Sequence, residues 1–190
     1  MNDLFKRKKK KAKVAPPPAP AAPPAAAAAE HKQPDKPVLT FGDLGLAGWL
    51  VQACDALGLK RPSAIQRLAI PPALAGSNVL GLAETGSGKT AAFSLPIFHR
   101  LFEDPYGVFS LILTPSRELA AQISKFLRII GEAQKLRVQC VIGGEDVVRQ
   151  SLELTNQRPH IVVGTPGRLV ECLDGGLREM IGNLRCLVLD

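Results

Sequence analysis

Eight residues, Ala83-Glu-Thr-Gly-Ser-Gly-Lys-Thr90, restrict the fold more than any other stretch of this chain. They follow a short apolar run, Val79-Leu-Gly-Leu82, and precede a helix-forming run, Ala91-Ala-Phe-Ser-Leu95. Gly86 and Gly88 can take positive φ, so successive backbone N–H groups can converge on one anion. A helix starting at the end of the loop aims the positive end of its dipole at the same point. Lys89 adds a full positive charge suited to β- and γ-phosphates, and the Thr90 hydroxyl is placed to ligate Mg²⁺. The stretch reads as strand, phosphate loop and helix, with Ala83, Glu84, Thr85, Gly86, Ser87, Gly88, Lys89 and Thr90 binding a nucleoside triphosphate. Ala83 stands where the usual pattern has Gly. On these residues alone the competing reading is a Gly-rich turn that happens to carry Lys-Thr.

The pattern after the loop is consistent with that reading. Apolar strands alternate with amphipathic helices: Phe109–Leu113 then Arg117–Ile130, Val138–Ile142 then Glu145–Leu154, Ile161–Val163 then Gly167–Leu173, and finally Cys186–Leu189. Continuous Val/Ile/Leu strands are buried on both faces. With helices between them they make an α/β fold, a parallel, right-handed sheet with helices on both faces. Each strand ends on a polar or Gly signature: Glu84–Thr90, Thr114-Pro-Ser-Arg117, Gly143-Gly144, Thr165-Pro-Gly-Arg168 and Asp190. Ligand sites of open α/β sheets lie at the carboxyl ends of the strands, so these five signatures are expected on one rim.

Across from a phosphate loop, the Asp190 carboxylate can hold Mg²⁺, commonly through water. The alternative is an Asp that begins a turn. In Thr114–Arg117 and Thr165–Arg168, Thr is expected to cap a helix and Pro to occupy its first turn. That leaves free N–H groups beside an Arg, a site for phosphate. Pro115, Ser116, Arg117, Thr165, Pro166, Gly167 and Arg168, with the Gly143-Gly144 turn, could therefore track a nucleic-acid backbone without reading its sequence. The alternative is two ordinary caps, with Arg117 paired to Glu118. Aromatic residues for base stacking are sparse on this rim.

Upstream, Leu46, Trp49, Leu50, Ala53, Cys54 and Leu57 recur at helical spacing and Gly58 follows as a stop. Trp49 reads as a core residue. Ser63 and Gln66 have the spacing of a capping box, and that helix is expected to break at Pro71-Pro72. Residues 1–39 hold nine Lys/Arg and three Asp/Glu, so +6 of the chain's formal +7 sits there. The block Lys6–Lys13 and the Pro/Ala stretch Pro16–Ala29 predict a disordered, basic tail, and folding is expected from residue 40 to 190. The basic block suits nuclear import or RNA attraction, or is only a solvated tail. The four cysteines are far apart and the three histidines scattered, which argues against a zinc site or a disulfide framework. The expected setting is reduced and intracellular. The apolar runs are too short to span a bilayer, and no membrane partner is expected.

These residues together resemble the first RecA-like domain of a DEAD-box ATP-dependent RNA helicase, from Phe41 to Asp190. In that family the phosphate loop typically begins with Ala, as Ala83 does. Gly58–Gln66 resembles its Q motif, with Ser63 for the usual Thr, and Phe41 sits 17 positions upstream of Gly58 where the family's isolated aromatic lies. Pro115-Ser-Arg-Glu-Leu-Ala120 is similar to P-T-R-E-L-A, Gly143-Gly144 and Thr165–Arg168 to its other RNA-backbone elements, and Val188-Leu-Asp190 to the lead-in of D-E-A-D. The resemblance implies ATP and Mg²⁺ as cofactors and single-stranded RNA as partner. It implies that Gln66 reads the adenine edge and that Phe41 packs on the base. Glu103–Gly107 resembles a nucleolar branch active in small-subunit ribosome assembly, which implies the nucleus and ribosome-assembly proteins as partners. The resemblance also implies a catalytic Glu after Asp190 and a second RecA-like domain. Neither is in this sequence, and the polypeptide alone is expected to be inactive. Two rivals stand beside this reading. A small-molecule kinase or GTPase is one, although no Asn-Lys-x-Asp guanine element occurs. A truncated, non-catalytic ATP- or RNA-binding fragment is the other.

Overall fold

The computed structural model describes residues 39–105 and 107–190, so the expected tail lies outside the described residues apart from Leu39. A single turn at Gly42–Leu44 precedes helices α1 (Gly48–Ala56), α2 (Ala64–Leu74) and α3 (Lys89–Glu103). Strands and helices then alternate: β1 (Ser110–Leu113), α4 (Arg117–Gly131), β2 (Val138–Val141), α5 (Val147–Gln157), β3 (Ile161–Gly164), α6 (Pro166–Cys172), α7 (Arg178–Met180) and β4 (Cys186–Leu189). The strands form one sheet in the order β2-β3-β1-β4, and every pair is parallel.

Alternation along the strands builds two cores. Ile112, Val138, Ile161 and Val163 pack with Leu50, Phe98 and Leu127 from α1, α3 and α4. Val141 and Val162 pack with Leu154, Leu169 and Cys172 from α5 and α6. Val162 and Val163 are both 0% exposed, so β3 is covered on each side by helices, as its unbroken apolar sequence requires. Trp49 sits at the margin of the larger core, its ring 5.3 Å from that of Phe102 and 6.5 Å from that of Phe98.

Register sets the rim. Leu113 of β1 lies opposite Gly164 of β3 and Leu189 of β4, and Gly164 lies opposite Val141 of β2. Backbone bonds continue that level: Thr114 N–H donates to Gly164 O at 3.0 Å, Thr165 N–H to Val141 O at 3.2 Å, and Asp190 N–H to Leu113 O at 3.0 Å. Thr114, Ile142, Thr165 and Asp190 thus leave the sheet side by side.

Three local expectations are corrected. Val79–Leu82 is not a strand; it has no regular structure, and Leu80 and Leu82 are 89% and 85% exposed. Its apolar character suits a strand, but it lies across a cavity from β4, and no ladder reaches it. Helix α2 does not break at Pro71-Pro72 but runs to Leu74. The prolines leave only the carbonyls of Arg67 and Leu68 without intrahelical donors. Both residues are on the exposed side, where their carbonyls are open to solvent. The two Thr-Pro-x-Arg elements are not equivalent caps. Ser116, not Thr114, caps α4 by accepting from Leu119 N–H at 3.2 Å, while buried Thr114 donates to Ser116 O at 3.1 Å. Thr165 is at the N-cap of α6 with Pro166 in its first turn, but its side chain makes no cap bond.

The outer strand β2 is guarded. Its pairing with β3 turns the polar groups of Val138 outward, where Arg128 Nε donates to Val138 O at 3.1 Å. Gln150 Nε2 donates to Ile142 O, also at 3.1 Å, at the other end of the same edge.

Candidate nucleotide and nucleic-acid site

The loop before α3 turns on two glycines in the left-handed region, Gly86 at φ 82° and Gly88 at φ 92°. Lys89 opens α3, and its ammonium reaches back to donate to Ala83 O at 2.6 Å and Glu84 O at 2.9 Å. These are neutral acceptors, and phosphate oxygens would compete for the same donors with charge assistance. Ser87 Oγ is buried with no hydrogen-bond partner among the described residues. A positive-φ cradle, a lysine bridging it and an unpaired hydroxyl fit a polyphosphate. Thr90 follows on the first turn of α3. Lys89 and Asp190 line one cavity of about 430 Å³ that also includes the outer side of β4. Among the described residues Asp190 is its only acidic lining residue, and these residues contain no cluster of three or more His, Cys, Asp or Glu that could hold a metal. A divalent ion there would need phosphate and water oxygens to complete its shell.

Gln66 ties α2 to this loop. It is 3% exposed. Its Oε1 accepts from Ser63 N–H at 2.9 Å, which is the capping contact, and its Nε2 donates to Gly88 O at 3.1 Å. The capping role and a role at the loop therefore coexist. A Cβ on Gly88 would collide with the Gln66 amide, so this glycine is required by space as well as by φ. Phe41 is 2% exposed and belongs to the larger core.

The remaining signatures gather around the Gly143-Gly144 turn. The exposed Arg117, at the start of α4, lays its guanidinium against both glycines. A Cβ on Gly143 would stand 3.2 Å from Nη2, and one on Gly144 would stand 2.7 Å from Nη1. Gly144 also has φ 95°. The alternative partner of Arg117, Glu118, forms no ion pair with it among the described residues. Arg168 approaches the same turn from α6: Nη1 donates to Glu145 O at 2.8 Å and to Gln150 Oε1 at 3.2 Å, and Nε lies 2.8 Å from Glu171 Oε2. Pro115, Pro166 and Gly167 are exposed at the rim, with Ser116 and Thr165 half-buried beside them. Gln150 was not anticipated from the sequence. Its signal was a polar residue on the buried stripe of α5, one turn before Leu154.

The model of the DEAD/DEAH box helicase family matches residues 63–190. The chain belongs to the DEAD/DEAH-box helicases. It is similar to "DEAD-box ATP-dependent RNA helicase 36" of Oryza sativa subsp. japonica, 53% identical over 153 residues that cover 80% of this chain and 30% of the relative. It is also similar to "Probable ATP-dependent RNA helicase DDX49" of Homo sapiens, 50% identical over 79% of this chain and 31% of the relative. "ATP-dependent rRNA helicase RRP3" of Pyricularia oryzae is 49% identical over 82% of this chain and 29% of the relative. The chain thus spans about 30% of the length of such relatives. Among solved structures, the RNA helicase Prp28 of Chaetomium thermophilum bound to ADP superposes with TM-score 0.71 at 36% identity, covering 80% of this chain and 38% of that one. The helicase Mss116 bound to single-stranded RNA and UDP-BeF gives 0.74 at 30% identity, covering 80% and 33%. The DEAD-box chain therefore has the RecA-like fold, and its matched region includes every rim element.

Proposed function

We propose that residues 40–190 are the ATP-binding and RNA-backbone-binding domain of an ATP-dependent RNA helicase. In the longer protein it couples ATP binding and hydrolysis to local opening of RNA duplexes or remodelling of RNA–protein particles. The observation that carries this reading is the common rim. Lys89 and Asp190 line one cavity, and Arg117 lies against the Gly143-Gly144 turn at the level where β1, β2, β3 and β4 end.

In this reading, Ala83 to Thr90 hold the triphosphate, with Lys89 exchanging its two carbonyl partners for phosphate oxygens. Thr90 and Asp190 would hold Mg²⁺, the latter through water; the ion supplies neutralisation of phosphate charge. Gln66 reads the adenine edge from beside Gly88, while Phe41, buried in the larger core, would have to turn out of it to pack on the base. Pro115, Ser116, Arg117, Gly143, Gly144, Thr165, Pro166, Gly167 and Arg168 hold one RNA strand through its backbone. Such contacts position a strand without reading its sequence.

Among the described residues Asp190 is the one carboxylate lining the cavity beside Lys89. Orienting the attacking water takes a further group, and we infer that this polypeptide alone does not turn over ATP. A second RecA-like domain is the partner that would complete the site. The process we assign is ribosome biogenesis in the nucleolus, with ribosome-assembly proteins as partners. One relative, RRP3 of Pyricularia oryzae, is named an rRNA helicase.

Two titrations test the assignment. Lys89→Ala should weaken ADP or ATP binding about 10- to 100-fold, the size of a lost charge-assisted contact, and wild-type protein should prefer ATP to GTP. Unchanged nucleotide affinity in Lys89→Ala would remove the phosphate-loop assignment, and a preference for GTP would favour a different phosphate-loop enzyme.

A further inference from the structure

We propose that Gln150 is a positioning residue that holds the Gly143-Gly144 turn, and through it the Arg117 guanidinium, in register with the element at 165–168. The proposal rests on the RNA-backbone reading of this rim for its functional consequence, but its structural content is independent of it.

The side-chain amide of Gln150 is 1% exposed and sits under the turn. Nε2 donates to Ile142 O at 3.1 Å, which is where the chain enters the turn. It also donates to Glu145 Oε2 at 2.9 Å, where the chain leaves it. Oε1 accepts from Arg168 Nη1 at 3.2 Å, and the same Nη1 donates to Glu145 O at 2.8 Å. Both donors of the amide and one of its acceptor positions are therefore used. Entry, exit and the neighbouring α6 element are fixed by one side chain.

The turn needs such a hold. Gly144 has φ 95°, and Gly143 and Gly144 form the surface on which Arg117 lies. A shift of that turn moves the seat of Arg117. In the same arrangement Arg168 is 11% exposed at its side chain, already hydrogen-bonded to Glu145 and Gln150 and ion-paired with Glu171. Arg117, whose residue is exposed, is then the more open of the two guanidiniums to a phosphate, while Arg168 also braces the turn.

The chemistry at position 150 is narrow. Leu keeps the volume but leaves Ile142 O and the Arg168 guanidinium each short of a partner. Glu keeps an acceptor for Arg168 but loses both donors and sets a second carboxylate against Glu145. The double change Gln150→Glu with Glu145→Gln restores a donor–acceptor pair between the two side chains and keeps the acceptor for Arg168.

The test uses the 190-residue chain, a labelled single-stranded oligouridine, a fluorescent ADP analogue, and site-resolved amide hydrogen exchange. Gln150→Leu should accelerate exchange at Gly143–Glu145 selectively. It should lower oligouridine affinity about tenfold, the size expected when one charged hydrogen bond is misplaced, and leave ADP affinity within about twofold. Gln150→Glu should behave similarly, and adding Glu145→Gln should recover much of the RNA affinity. If Gln150→Leu fails to fold, the single and double Glu variants carry the comparison. Unchanged exchange at the turn in a folded variant would overturn the proposal, as would RNA and ADP affinity falling together in a variant that keeps its fold. If the turn loosens while no form of the chain binds oligouridine, the positioning role stands and the RNA reading of the rim fails.

Discussion

Substitution of Gly144 by Ala separates backbone strain from loss of a phosphate contact. Gly144 has φ 95°, and a Cβ there would stand 2.7 Å from Arg117 Nη1. That nitrogen is the far end of a flexible side chain and moves cheaply, so the stability loss comes from the left-handed backbone, about 1–2 kcal/mol for an L-residue. For a domain of this size that lowers Tm by roughly 2–8 °C. The neighbouring Gly143→Ala has no positive φ to oppose it and a 3.2 Å approach to Nη2, so its stability should change by less than about 0.5 kcal/mol. Both substitutions displace the guanidinium, and both should lower oligouridine affinity about tenfold or more. Gly144→Asn supplies a control: Asn tolerates the left-handed region, so it should recover part of the stability without recovering the affinity. Denaturant unfolding with a shared m-value and fluorescence anisotropy with oligouridine measure the two quantities. Equal stability of the two Ala variants would refute the strain argument. Undiminished RNA affinity in either would refute the role given to Arg117.

Other outcomes are also expected. Gln66→Ala removes the contacts to Ser63 and Gly88, and should destabilise the chain by about 1–2 kcal/mol and abolish its preference for ATP over GTP, read by unfolding and competition binding. A phosphate-release assay on the 190-residue polypeptide should show no RNA-stimulated turnover; a clear signal would place a water-orienting group within this sequence. His160 is buried, and its Nδ1 accepts from Arg137 N–H at 3.0 Å. Burial and the Arg137 guanidinium hold its pKa below the ordinary imidazole value. The unfolded chain therefore binds the extra proton first, so stability is kept above the ordinary His pKa and falls as pH drops from about 7 toward 5. His160→Asn should flatten that part of the pH–stability curve, and an unchanged slope would show that other groups set it.

The sheet was largely legible because each strand carries its own burial signature. Ile161–Gly164 is apolar throughout and is buried throughout, and the polar residues following Leu113, Gly164 and Leu189 mark where the strands end. Val79–Leu82 was misread because strand character is local, whereas strand formation depends on a neighbour that sequence periodicity does not reveal. Pro71 and Pro72 were misread for a related reason: whether a proline ends a helix depends on which side its orphaned carbonyls face. At the rim, the sequence set Arg117, Arg168 and the glycines at strand ends but did not reveal the bonds that join them. Those run through Gln150, a residue one turn from Leu154 in sequence and 18 positions from the arginine it contacts.

The two margins of the sheet have opposite chemical character. Along the β2 side Arg128 covers the outward carbonyl of Val138 and Gln150 that of Ile142 just past the strand, so a stranger's backbone finds only a short ladder to grip. Beside β4, Leu187 and Leu189 are 56% and 75% exposed, and bare Leu80 and Val79 share that flank. A greasy margin of this sort seeks cover. In concentrated solution the isolated polypeptide will stick to its own kind by that side and remain indifferent on the other.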